Sequence, residues 1–165
     1  NAKRLFYGTN SGTISDGNYI NAVKVFGMEN WWGFQWRRYQ GHLLINGVQK
    51  VKNTYGQEDG STVDGYNLTG NGFKSAGATP AGTSGNFISE MNFTEDGMFP
   101  KTMSGTSTTH CCDACWFNNS GARVPLRGGY STTGVRDGAF YADLNSAASN
   151  AYWNVGAALS CKPLA

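Results

Sequence analysis

Along this chain apolar and polar residues alternate near a two-residue period, and few stretches sustain the three-four apolar repeat of a helix. Phe34 to Tyr39, His42 to Ile45, Val48 to Val51 and Phe87 to Phe93 each mix aromatics and aliphatics with polar neighbours, the pattern of half-buried strands. Glycine interrupts most helical candidates. Ile45-Asn46-Gly47-Val48 predicts a hairpin, because Asn-Gly accepts the positive φ angles of a two-residue turn. The polar, Gly/Ser/Thr-rich stretches Gly56 to Gly72 and Ser75 to Gly85 read as long loops, which within a domain are functional or held by their own side chains. The expected class is α+β, strand-rich with little helix, in one domain over residues 1–165.

Composition narrows the function. At 165 residues, 39% hydrophobic and 13% aromatic, the chain can bury a core and is no disordered tail. Its 23 glycines fall without a fixed period, which excludes collagen and solenoid arrays. A net charge of +2 with 15% charged residues gives no electrostatic footprint for nucleic acid. The one basic pair, Arg37 and Arg38 beside Trp36 and Tyr39, suits a strand with charged heads in solvent. No apolar run reaches membrane-spanning length, and the segment Asn1 to Phe6 is too short for a signal peptide. We expect neither nucleic-acid binding nor membrane insertion, and a chain that is part of a longer protein.

One segment departs from the rest. Residues 1–103 hold 6 Lys, 4 Met, 4 Glu and 4 Gln, whereas Ser104 to Cys161 holds none of these types. Uniform usage would place roughly ten there. The same segment is rich in Tyr, Asn, Ser, Thr and Trp, the residues of adaptable contact surfaces. Both facts favour binding over turnover.

Candidates for chemistry are few. Cys112-Asp-Ala-Cys115 has the spacing of a redox or zinc half-site, but a second CxxC is missing. Cys111 and Cys161, with His110, leave free thiols, one bridge or a mixed metal set as alternatives. There are two histidines, His42 and His110, and no HExxH, GxSxG or phosphate-binding glycine loop. Glu29 and Asn30 offer too few oxygens for calcium. Trp31, Trp32 and Trp36 form either a sugar-stacking platform or, as such clusters more often do, part of the core. We expect no enzyme, no metal and no cofactor.

Three landmarks taken together carry a resemblance: Gly27-Met28-Glu29-Asn30-Trp31-Trp32-Gly33-Phe34-Gln35-Trp36, then Leu126-Arg127-Gly128-Gly129, then Ser149-Asn150-Ala151-Tyr152-Trp153-Asn154-Val155-Gly156. Their order resembles C-type-lectin-fold proteins diversified by retroelements, among them phage tropism determinants and tail-tip proteins of gut phages and prophages. The resemblance implies a C-type-lectin-like fold of the formylglycine-generating-enzyme/tropism-determinant type. In that family a reverse transcriptase substitutes at template adenines, and randomised AAY codons never yield Lys, Met, Glu, Gln or Trp. The missing four types are all on that list.

The resemblance implies a variable region of about residues 112–160 and a role as a receptor-binding domain. Its variable ligand-binding positions would be Ala114, Phe117, Tyr130, Thr132, Thr133, Val135, Arg136, Asp137, Phe140, Tyr141, Asp143, Asn150 and Tyr152. Trp116 would be a fixed contact, and Arg127, Gly128, Gly129, Trp153 and Gly156 the scaffold. The partner would be a protein or glycan receptor on a bacterial cell surface, met by multimeric display on a phage tail in the virion or on a bacterial surface. A fixed-specificity carbohydrate-binding or adhesin module is the alternative. Formylglycine-generating enzymes share a similar Arg-Gly-Gly landmark but need a copper-binding cysteine pair. Here Ala157-Ala158-Leu159-Ser160-Cys161 stands where those enzymes carry Gly-Phe-Arg-Cys. The first long helix of C-type lectins is not evident, so a reduced, strand-rich variant is expected.

Overall fold

The computed structural model describes residues 24–25, 28–29, 32–39, 41–52, 67–77, 79–109, 111, 113–130 and 132–156. An antiparallel pair, β1 (Lys24–Val25) and β2 (Met28–Glu29), precedes β3 (Trp36–Arg38), β4 (His42–Ile45), β5 (Val48–Val51) and β6 (Lys74–Ser75). Next come β7 (Ala81–Gly82), β8 (Asn86–Phe87), β9 (Glu90–Thr94) and β10 (Gly97–Met103). The chain continues through β11 (Ala114–Phe117), β12 (Ala122–Arg123), β13 (Leu126–Arg127), a 3-10 turn (Gly134–Arg136), β14 (Ala142–Leu144) and β15 (Val155–Gly156). The molecule is mostly β: that single turn is the only helical element among the described residues, so the expected α component is absent from them.

The predicted hairpin forms as read. Asn46 and Gly47 take φ of 46° and 81°, both positive as a type I′ turn requires, and Ile45 pairs with Val48. Phe34 to Tyr39 shortens to β3. Phe87 to Phe93 divides into β8 and β9 because the chain changes sheets at Ile88 and Ser89. The Ile88 amide bonds the Asp113 carbonyl at 2.9 Å on one side, and the Ser89 amide bonds Thr102 at 2.8 Å on the other. The loop predicted for Ser75 to Gly85 contains β7, which pairs in parallel with β10. Of Gly56 to Gly72, residues 67–72 are described. There the Asn67 side-chain oxygen accepts from the amides of Thr69 and Asn71, each at 3.1 Å.

The largest sheet has the order β15-β3-β13-β14-β11-β8, flanked by a four-stranded sheet β12-β4-β5-β6 and a three-stranded sheet β7-β10-β9. Register sorts its side chains onto two faces, since alternate residues point to opposite sides. Trp116 pairs with Asp143, Asp143 with Leu126, and Leu126 with Arg38, so these four lie in one row across one face. Two residues along each strand, Ala114, Tyr141, Trp36 and its partner Val155 share that face. Cys115, Ala142 and Leu144 take the other face and join Leu44, Ile88 and Met103 in a core with no solvent exposure. Burying each of the larger aliphatic side chains there is worth about 1.5–3 kcal/mol. A second core, Trp36, Ala114, Leu126 and Tyr141, forms on the first face. The sheet therefore carries a core on each side, and only the second opens towards a groove.

Candidate ligand-binding groove

Two loop systems rise over the face that carries Trp116 and Asp143. The first runs from Gly128 to Tyr141 and is pinned at its base. The Gly128 amide donates to the Tyr141 carbonyl at 3.0 Å, and the Gly128 carbonyl accepts from Gly33 at 2.6 Å. Within it, the Tyr130 amide donates to Thr133 Oγ1 at 3.0 Å, and Thr133 Oγ1 returns its proton to the Tyr130 carbonyl. Behind it, the buried Asp113 carboxylate accepts from the Phe140 amide at 2.7 Å. Such bonds order a loop without a hydrophobic core of its own.

The second system follows β14 and leads to β15. Arg38 reaches up from β3 to the carbonyls of Ala147, at 3.4 Å, and Asn150. The Trp36 amide donates to the Asn154 carbonyl at 2.8 Å, and Gln35 Nε2 donates to the Trp153 carbonyl at 3.1 Å. A forked guanidinium on the sheet thus holds the far wall by its main chain.

Between the walls lies a groove of about 500 Å³. Trp36, Leu126, Tyr141 and Val155 form its floor. Trp116, Tyr130, Thr132, Thr133, Arg136, Asp143, Asn145, Ser146, Tyr152 and Asn154 complete its lining. The rings interlock: Trp36 sits 4.7 Å from Tyr141 and 6.4 Å from Tyr130, and Tyr130 meets Trp153 edge-on at 6.0 Å. Both Asp143 oxygens are held, one by the Asn145 amide at 2.6 Å and the other by the Ser146 hydroxyl at 2.7 Å.

Burial controls the titrating groups nearby. The Asp137 carboxyl is pushed up to about 7, first by desolvation and further by the Asp113 charge. Neither of its oxygens has a hydrogen-bond partner, and the proximity of Thr133 relieves it only in part because that hydroxyl donates to Tyr130. Burial also raises the Tyr141 phenol to about 12 and the Cys115 thiol to about 12. Cys115 is therefore a packed thiol without nucleophilic character.

The structure brings together Trp116, Tyr130, Thr132, Thr133, Arg136, Tyr141, Asp143 and Tyr152 of the sequence-predicted contacts. It separates others. Ala114 shares the groove face but is sealed beneath it with no exposure, and Phe117 points to the opposite face against the main core. Asp137 packs behind the first loop, close to Gly129, and Phe140 is exposed outside the groove lining. Asn150 contributes its carbonyl to the frame. Val135 lies in the 3-10 turn, and its side chain is outside the described residues.

Among the expected scaffold residues, Gly128 and Gly129 take φ of 87° and 68°, a conformation that favours glycine. Arg127 lies on the opposite face, with a long contact of 3.5 Å from its guanidinium to the Phe140 carbonyl. Gly156 packs against Gln35. Trp153 departs from the scaffold expectation: at 78% exposure it is a surface ring that touches Tyr130 at the rim. Of the tryptophan cluster, Trp36 is core at 6% exposure beneath the groove, Trp32 is half-buried, and Trp31 lies outside the described residues. Cys115 is a buried free thiol and Cys111 packs half-buried against the main core, while His110, Cys112 and Cys161 lie outside the described residues.

Sequence reasoning missed Asn145, Ser146 and Asn154. Asn145 and Ser146 follow an apolar-polar-apolar strand, Ala142–Leu144, and Asp143-x-x-Ser is a turn-forming spacing that could have flagged them. No family profile matches the chain, and no curated protein is significantly similar to it.

Proposed function

We propose that this domain is a receptor-binding module of the retroelement-diversified, C-type-lectin-like kind, presenting the groove to a protein or glycan on a bacterial surface. One observation carries the reading. All but Trp36 of the fourteen groove-lining residues fall between Ser104 and Cys161, the segment without Lys, Met, Glu or Gln. The compositional anomaly and this groove thus coincide, although neither was defined by the other. Rigid rings supply contact area there, and Thr, Ser and Asn side chains supply adaptable hydrogen bonds. We assign it binding without turnover, display in several copies on a phage tail or cell surface, and affinity raised by that multiplicity.

Sequencing the locus in sibling isolates tests the reading. Substitutions should concentrate at 130, 132, 133, 136, 143 and 152, at codon positions derived from adenines, while Trp36, Trp116, Gly128 and Gly129 stay constant. Substitutions spread evenly over β4, β5 and the groove would end it.

A further inference from the structure

One groove residue, Trp116, could not have come from randomised AAY codons, and beside it stands a carboxylate held by two hydrogen bonds. Trp116 and Asp143 are directly paired on the parallel strands β11 and β14 and share the groove face. A Cβ built on Gly85 would lie 2.6, 2.6 and 2.9 Å from three consecutive carbons of the Trp116 ring. A point beyond the ring's edge cannot be that close to all three, so Gly85 lies against one flat face of the indole. The indole N–H is bound to Tyr141. Trp116 is 38% exposed and lines the groove, and the ring face away from Gly85 is the one not covered by that residue. Beside it, the Asp143 carboxylate is fixed by two hydrogen bonds and keeps a lone pair on each oxygen for a further donor.

We infer that in this chain Trp116 and Asp143 form a sugar platform, on which a pyranose ring stacks its C–H face while adjacent hydroxyls donate to the carboxylate. The inference rests on the groove being the receptor site and names the ligand class. Charge argues against a cationic ligand, because Arg38 and Arg136 on this side outnumber Asp143. The neutral hydrogen-bonding groups of Thr132, Thr133, Asn145 and Asn154 argue against a purely apolar one. A ring with one apolar face and a hydroxylated edge satisfies both, and 500 Å³ lies within the range of small-ligand sites. The surrounding reachable positions would then select among glycans that share this one feature.

The test uses biotinylated domain assembled on streptavidin and applied to printed bacterial glycans, with methyl pyranosides as competitors, and to intact cells before and after periodate oxidation. Wild type should bind a subset of glycans, be displaced by a pyranoside, and lose its cell binding after periodate. Asp143→Asn and Trp116→Ala should each weaken binding at least tenfold, and Phe93→Ser, on the remote strand β9, should not. If Trp116→Ala melts early, Trp116→Phe and Asp143→Asn carry the comparison. Cell binding that survives periodate but is lost in Arg136→Glu overturns the sugar platform and leaves the groove reading standing. Cell binding unchanged in Arg136→Glu, Tyr152→Ala and Asp143→Asn overturns both. Absence of binding to any printed glycan also overturns the platform.

Discussion

The indole N–H of Trp116 donates a 3.0 Å hydrogen bond to the phenol oxygen of Tyr141, joining β11 to the residue that enters β14. Tyr141 is 1% exposed and Trp116 is partly open, so the bond ties a groove wall to the groove floor. Removing either partner leaves a shielded polar group unsatisfied, at about 1–3 kcal/mol. Tyr141→Phe and Trp116→Phe should each destabilise the domain by that order. Their double variant should cost about 1 kcal/mol less than the sum, because the bond is lost only once. Urea unfolding of the four proteins measures the coupling, and strict additivity would remove this bond as a contributor.

Gly85 provides the seat beneath the indole. Its φ of 86° lies in the left-handed region, and an added methyl would press on the Trp116 ring. Gly85→Ala combines backbone strain with overpacking and should cost about 2 kcal/mol or more. Near-ultraviolet circular dichroism should change as the indole tilts. An unchanged spectrum with unchanged stability would mean that Trp116 is not seated on this residue.

At the hairpin between β4 and β5, Gly47 has φ of 81° and Asn46 has φ of 46°. Gly47→Ala should cost about 1 kcal/mol, since alanine gains nothing there and strains the turn. Asn46→Gly keeps the turn and loses only the exposed bond from the Gly121 amide to its Oδ1, at 3.0 Å, so it should cost less than Gly47→Ala. Thermal unfolding ranks the two variants, and the reverse order would argue against a type I′ turn.

How far the sequence disclosed all this depends on the range of the forces involved. The Asn46-Gly47 hairpin was legible because its cause is local, two residues that accept positive φ. Tyr130, Thr132, Thr133 and Arg136 were legible as a set because they occupy one loop after Arg127-Gly128-Gly129. The break of Phe87 to Phe93 into two strands was hidden, because the competing partners Asp113 and Thr102 are distant in sequence. Phe117 and Trp116 look equally displayable in one dimension. Only pairing to β14 puts Trp116 in the groove and Phe117 in the core, the consequence of a period-two register that no local signal sets. Trp36 is buried, as such tryptophan clusters more often are, whereas Trp153, expected in the scaffold, is left outside where β15 begins its parallel pairing with β3 at Val155.

Two buried titrating groups set a pH profile with opposing parts. Asp137 is raised to about 7 in the folded state from an ordinary 3.8, so the folded form holds a proton that the unfolded form has lost. Its contribution to stability is full below about 4 and is lost as pH rises towards 7. His42 is lowered to about 3 from 6.5, chiefly by burial and then by the Arg127 charge, and its Nε2 has no hydrogen-bond partner. The unfolded chain binds the proton there, so its contribution is present above about 6.5 and is lost as pH falls towards 3. Between about 4 and 6.5 each state holds one proton across the two sites, and their slopes cancel. Wild-type stability should therefore be nearly flat in this window as far as these groups set it. Asp137→Asn removes the descending part, leaving stability that rises with pH, while His42→Phe removes the ascending part, leaving stability that falls with pH. Urea midpoints at pH 4.5, 5.5 and 6.5, chosen on linkage grounds, measure the slopes. Slopes of the same sign in the two variants would show that at least one group does not titrate as its burial dictates.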